Sequence, residues 1–281
     1  DIFNYDIKRF QKFHSQLDFI KNRITETLGD LYGMHWPYKQ HKTSRNIKIT
    51  PYHEELKKAG ACFGVSGGYE RPMWFALNGK KAEYEYSYNY QNWYQSAEYE
   101  TKNTVKNVGL FDLTPFSKFE IISDKAQQEL QKICTANIKN EVGKCTYTHM
   151  LNTDGGIETD LTVVCLNNNH FRIISSAATR ERDKFHIKKH LTKEIELKDV
   201  TDLFCVLGLF GPKSRDLIKT ISNDNFDNDS FKFGTAKFIT IEGIKIWAQR
   251  LSYVGELGYE LYVEFKDAKR LYELIINKGK D

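Results

Sequence analysis

The sequence predicts an α+β fold built on antiparallel strands and flanking helices, preceded by a mainly helical connector. Three observations predict it. Between Thr146 and Ile174, apolar segments at 146–151, 161–166 and 171–174 are separated by the turn formers Asp154-Gly-Gly156 and Asn167-Asn-Asn-His170, the spacing of an antiparallel meander. From Phe204 onward the order is strand, helix, strand, strand, strand, helix, without the long alternation that a parallel sheet needs. Neither G-x-G-x-x-G nor G-x-x-x-x-G-K-[ST] occurs, so no nucleotide-binding Rossmann or P-loop unit lies in these residues.

In chain order, Ile7, Phe10, Phe13, Leu17 and Ile20 recur at intervals of three and four, the spacing of one apolar helix face. A second helical pattern runs through Ile24, Leu28 and Leu31, and Gly33-Met-His-Trp-Pro37 reads as an aromatic turn. Pro51 and Glu54–Lys58 open a short helix that Gly60 stops. Residues 1–57 therefore read as a connector that packs against something upstream, and 58–281 as one domain. Within it, Gly64–Gly68 reads as a glycine-rich loop, 98–106 as a helix, and Val108–Asp112 as the start of a strand and turn. Lys118–Ile122 alternates like a strand, and Asp124 caps a helix reaching Ile133. A helix over 179–191 offers Phe185 and Ile187 to the core. Phe204–Phe210 reads as a buried strand broken by Gly211-Pro-Lys213, with a helix over 213–221. Strands at 236–241 and 244–250 form a hairpin around Glu242-Gly243, and a strand at 259–264 and a helix at 267–277 follow. Both ends look cut: the first residues have neither an initiator Met nor a secretory layout, and the last follow directly on an apolar helical pattern.

Composition narrows the function. A hydrophobic fraction of 40% and an aromatic fraction of 14% suit a globular protein. No run approaches the roughly 18 apolar residues of a membrane helix. The 41 basic and 37 acidic side chains are interspersed, so no nucleic-acid partner is expected. Five cysteines without a C-x-x-C pair argue for reduced thiols in a cytoplasmic compartment, and against a disulfide framework or zinc site. His186 and His190, four apart and without an acidic partner at ligand spacing, read as a solvated helix face, and no metal is expected.

Two runs could carry chemistry. In Asp154-Gly-Gly-Ile-Glu-Thr-Asp160 the glycines permit a close approach, and Asp160 stands at the entrance of a strand, placed to hold a protonated amine or relay a proton. In Tyr253-Val-Gly-Glu-Leu-Gly-Tyr259, two glycines flank Glu256 with Tyr253 and Tyr259 on either side, an arrangement suited to a flat heterocycle with a donor edge. From the residues alone, an ordinary hairpin turn explains the first run better, and a solvated surface turn explains the second at least as well.

Order decides more than either run. Tyr69-Glu-Arg-Pro-Met-Trp-Phe75, Val108–Asp112, Gly155–Val163, Leu207-Gly-Leu-Phe-Gly-Pro-Lys213 and Ser252–Leu261 together resemble the C-terminal half of dimethylglycine and sarcosine dehydrogenases, which is similar to the glycine-cleavage aminomethyltransferase. Tyr32–Pro37, Pro51-Tyr-His53 and Gly60–Gly64 resemble the joint between the flavin and folate halves of those enzymes. The resemblance implies an aminomethyltransferase-like folate-binding fold. It implies tetrahydrofolate as one-carbon acceptor, with Asp160 beside its reactive nitrogens and Glu256, Tyr253 and Tyr259 at the pterin ring. It further implies FAD in an upstream domain of the same protein, a small N-methyl amine as substrate, and 5,10-methylenetetrahydrofolate as product. A methyl or aminomethyl transferase such as a sulfonium demethylase, or a non-catalytic folate-binding module, are the alternatives on the same fold.

Overall fold

The computed structural model describes residues 6–34, 39–77 and 79–280; positions 35–37 of the expected aromatic turn lie outside them. The N-terminal segment makes two short 3₁₀ turns, Ile7–Arg9 and Lys12–Ser15, before a helix α1 (Leu17–Asp30). The apolar spacing thus serves one helix that starts at Leu17, not two. Gln11 and Gln16 are extended, breaking the helix upstream, while the Phe13 ring packs edge-on to Phe19 at 5.4 Å. None of the α1 residues is buried. A short helix α2 (His53–Lys58) ends at Gly60, whose φ is +86°.

The expected glycine-rich loop is instead a hairpin of β1 (Ala61–Ser66) and β2 (Tyr69–Phe75). Gly67 and Gly68 turn it with φ of +58° and +86°, the primed conformation that matches strand twist. Helix α3 (Tyr94–Lys106) begins earlier than the sequence suggests and leads to β3 (Gly109–Asp112), β4 (Ser117–Ile122) and α4 (Ala126–Ile133). The hydroxyl of Ser123, not the carboxylate of Asp124, accepts the N–H that precedes α4. The meander forms as expected from β5 (Cys145–Leu151), β6 (Ile157–Asn167) and β7 (His170–Ser175). Helix α5 (Arg180–His190) buries Ile187 but leaves Phe185 46% exposed. Then come β8 (Leu197–Asp199), β9 (Phe204–Phe210), α6 (Ser214–Lys219), β10 (Thr235–Ile241), β11 (Ile244–Arg250), β12 (Gly258–Glu264) and α7 (Phe265–Lys278). Glu242 and Gly243, at φ +46° and +80°, turn the β10–β11 hairpin.

Two five-stranded antiparallel sheets result, ordered β10-β11-β12-β9-β3 and β5-β6-β7-β4-β8. The first packs Leu207, Ile246, Tyr259 and Leu261 against α6 and α7; the second packs Phe119, Leu161, Val163 and Ile173 against α4 and α5. The remaining faces meet each other through Cys145, Val164, Ile174, Val206, Phe210, Trp247 and Tyr262. With both faces covered, β9 and β4 lose the alternation of a half-exposed strand. Lys118 shows the price: its buried ammonium donates to the carbonyls of Thr114 and Phe116, and burial pushes its pKa down to about 7.

The chain leading into the domain is fastened by a buried polar cluster. Tyr52 donates its phenol proton to Asp112 at 2.8 Å, and Thr114 contributes its N–H to the same carboxylate oxygen and its hydroxyl to the contact with Tyr52. Thr114 Oγ1 in turn accepts the N–H of Val206 on β9. Tyr52 and Leu56, the last part of the expected connector, are core residues of the following domain. Removing a buried acceptor strands its donors. Asp112→Ala is therefore expected to lower stability by about 2–4 kcal/mol in chemical denaturation, and a loss under about 0.5 kcal/mol would show that the cluster is dispensable.

Candidate active site

The space between the sheets is apolar at its centre and polar at one side. On β5 and β6, Cys145 and Val164 fill the centre, and by strand parity Tyr147 and Asp160 follow on the same faces toward solvent. Asp160 lies inside β6, three residues past its start, not at the strand entrance that the sequence suggests. It remains exposed, and Tyr147 donates its phenol proton to it at 3.2 Å. Partial desolvation, the Asp160 carboxylate and nearby Tyr253 all push the Tyr147 hydroxyl upward.

The facing wall comes from β11 and β12. Trp247 pairs with Tyr262 and Gln249 with Glu260 across the ladder, so these four side chains stand together on the face turned to the second sheet. The Glu260 carboxylate accepts the Tyr262 hydroxyl at 2.9 Å, and burial holds its pKa above the usual carboxylate range against that bond. Glu260 also faces β5: burial, with the Glu260 carboxylate adding to it, raises the Cys145 thiol. Cys145 and Tyr147 are two residues apart, about 7 Å along a strand. Two carboxyl groups thus stand on this side of the inter-sheet layer, Glu260 half-buried and Asp160 exposed. Beyond Tyr262 the guanidinium of Arg172 closes the interior, held by Glu120 at 2.6 and 2.9 Å and lying 4.5 Å from the Phe204 ring centre.

Several polar atoms on the β11 side have no partner among the described residues: Trp247 Nε1, both amide atoms of Gln249, and Ser252 Oγ. An interior donor or acceptor left unpaired costs about 1–3 kcal/mol.

The loop 251–257 joins β11 to β12, and its base is clamped. The Leu257 carbonyl accepts from the Gly211 N–H at 2.8 Å and from the Ser214 hydroxyl at 3.2 Å. Gly258 is required at the junction, because a Cβ there would stand 2.1 Å from the Phe210 ring. Phe210-Gly-Pro-Lys213, architectural by sequence, thus positions this loop.

The sequence-derived residues part company here. Asp160 and Tyr253 reach the same mouth, with Tyr253 90% exposed. Glu256 sits half-buried in the loop, without a hydrogen bond or ion pair among the described residues. Tyr259 is corrected: it is fully buried, with its ring 5.6 Å from Phe226 and 5.7 Å from Phe231, on the opposite face of β12 from Glu260. The sequence reading placed it by its neighbours along the chain, whereas strand parity from Gly258 assigns 259 to the core and 260 to the groove. Tyr147, Gln249, Glu260 and Tyr262, which the sequence reading did not name, stand in the same inter-sheet layer. A Glu between apolar residues of a buried strand was the available signal. Elsewhere, Glu26, Asp30 and His41 bring possible ligand atoms within 4.8 Å of one another. Glu26 is already engaged by the N–H groups of Lys42 and Thr43, and Asp30 by Lys39 at 2.8 Å.

Comparison with known proteins decides the family. The GCVT N-terminal domain matches residues 52–281. The chain belongs to that family. Residues 1–50 match the central domain of FAD dependent oxidoreductases. Over 98% of this chain, 4-methylaminobutanoate oxidase (formaldehyde-forming) of Paenarthrobacter nicotinovorans is 35% identical, the match covering 34% of that protein. Rat mitochondrial dimethylglycine dehydrogenase is 29% identical over all of this chain and 33% of its own length. The chain thus spans about a third of the curated relatives it matches. The glycine cleavage system aminomethyltransferase T of Bartonella henselae shares the fold, with a TM-score of 0.67 at 21% identity, over 82% of this chain and 57% of that one. Family and fold are those the sequence motifs implied.

The reassignment of the two tyrosines is measurable. Tyr259→Ala, which empties a core site, is expected to lose about 3–5 kcal/mol of stability in denaturant titration. Tyr253→Ala is expected to change it by less than about 0.5 kcal/mol. Equal effects would refute the placement.

Proposed function

We propose that the inter-sheet groove binds tetrahydrofolate and that this chain is the one-carbon-accepting part of a flavin-dependent N-methyl amine dehydrogenase or oxidase of the sarcosine and dimethylglycine type. The observation that carries the reading is the set of unpartnered buried polar atoms on the β11 side, across the ladder from Glu260, in the same inter-sheet layer whose solvent edge holds Asp160. Tetrahydrofolate, when bound, supplies the nucleophilic amine that takes up the one-carbon unit and leaves as 5,10-methylenetetrahydrofolate. Glu260, in place of Glu256, holds the ring from the inner end, and Tyr253 covers it. Asp160, oriented by Tyr147, moves a proton at its carboxylate at the open end, where a one-carbon donor arrives. Closing the groove with the 251–257 loop keeps water from a reactive iminium or formaldehyde.

The amine-oxidising flavin belongs, in this reading, to another part of the protein, and α1 is the face that meets it. Leu17 and Leu28 are 70% and 61% exposed on a helix that buries nothing of its own, and Leu31 at its C-cap is 64% exposed. Leu28→Glu is expected to leave the melting of the two-sheet domain unchanged while exposing the flavin-bearing part to limited proteolysis in the intact protein. Unaltered proteolysis would remove α1 from that interface.

A formaldehyde-forming relative favours a second reading, in which the one-carbon unit is released and the groove only binds. The intact protein turning over an N-methyl amine separates the two. With tetrahydrofolate present, methylenetetrahydrofolate is expected to replace free formaldehyde, and Asp160→Ala is expected to restore formaldehyde release with amine oxidation and folding intact. Undiminished methylenetetrahydrofolate from Asp160→Ala would end the role given to that carboxylate.

A further inference from the structure

A cavity of about 550 Å³ opens beside α2 and β1, and none of its described lining residues belongs to either five-stranded sheet. His53 and Lys57, four residues apart on one face of α2, both line it. His53 is only 7% exposed, its ring packed 4.4 Å from that of Phe63. Neither of its ring nitrogens has a hydrogen bond among the described residues; Nδ1 is sealed from solvent, which leaves Nε2 to the cavity. Lys42 lines the same space, and neither it nor Lys57 has a carboxylate partner among the described residues.

The acidic groups of the wall divide. Arg45 donates to both oxygens of Glu70 and the Asn46 N–H adds a third bond, so that carboxylate is satisfied within the wall. Glu83 has no ion-pair partner among the described residues, and its charge adds to the burial that pushes the Cys62 thiol up to about 11. Tyr84 and Tyr86 follow it in the chain with rings stacked at 5.6 Å, a surface that attracts a cation. The volume is that of a small-molecule site, about 300–1,000 Å³. A simple anion would answer the lysines and leave Glu83 uncompensated, and a simple cation would do the reverse.

We propose that this cavity is a second ligand site, built for a zwitterionic amino acid that sets its carboxylate at Lys57 and His53 and its ammonium at Glu83, beside the Tyr84 and Tyr86 rings. The site stands apart from the folate reading, because it shares no residue with the inter-sheet layer.

Calorimetric titration of the intact protein with 4-aminobutanoate, and with butanoate and butylamine as its one-charge counterparts, tests the assignment. A site elsewhere in the protein binds 4-aminobutanoate equally in wild type and variants, so the component that the variants lose is the one assigned here. Lys57→Ala and Glu83→Gln, both at exposed positions, are expected to keep the wild-type melting temperature and to weaken that component by about tenfold each. Lys57→Ala is expected to weaken butanoate as well and spare butylamine, and Glu83→Gln to do the opposite. No binding of 4-aminobutanoate by the wild type, binding within about twofold of wild type in both variants, or butanoate binding as tightly as 4-aminobutanoate overturns the proposal.

Discussion

The pairing of β12 with β9 is the constraint on which the rest of the structure depends. Gly258 through Glu264 run opposite Phe210 through Phe204 without a slip, and β9 pairs on its other edge with β3. In a strand the side chains have a period of two, so this register decides every neighbour at once. Tyr259, Leu261 and Val263 go to the helices; Glu260 and Tyr262 go to the space between the sheets. A shift by one residue would bring Glu260 into the apolar core and Tyr259 to the groove. Phe210 guards against it, since its ring fills the space over Gly258 where any larger side chain would collide.

Much of the architecture was legible because local signals and burial agreed. The meander, the Glu242-Gly243 turn and the break at Gly211 are written in residues whose backbone preferences leave few choices. What failed to show were features set by tertiary partners. Residues 7–31 carry helix periodicity throughout, but contacts among Phe13, His14 and Phe19 pull the first part into 3₁₀ turns. The Gly64–Gly68 run looked like a loop because three glycines mask the strands that flank the turn. In the site, the sequence led to Asp160 and Tyr253, both near glycine turns. It could not lead to Gln249 or Tyr147, whose place in that layer depends on which strand stands opposite. Glu260 was readable in principle, as a carboxylate amid apolar strand residues, but the glycine-flanked Glu256 drew the eye first.

The inter-sheet space unites stability and recognition in one layer. Its polar members fall into two kinds. Lys118 bonds to nearby carbonyls, and Glu120 and Arg172 bond to each other, Arg172 Nη1 apart. Gln249, Trp247 and Ser252 do not. The same low dielectric that makes the first group a firm lock makes the second group an unspent capacity for binding. A fold with helices on both outer faces keeps water away from that layer.

Asp202 gathers Lys48 at 3.1 Å, Tyr69 at 2.9 Å and Arg180 at 3.4 Å, which joins the N-terminal segment to the hairpin and to α5. Its side chain is 47% exposed, and α1 contributes no apolar burial alongside it. The attachment of that segment therefore combines ion pairs with backbone bonds between Lys48 and the hairpin, while the sheets are held by dehydrated apolar surface. At an ionic strength of 1 M, with a Debye length of about 3 Å, the two respond unequally. Salt loosens the arm and leaves the sheets firm, which makes the boundary between them an electrolyte-sensitive joint.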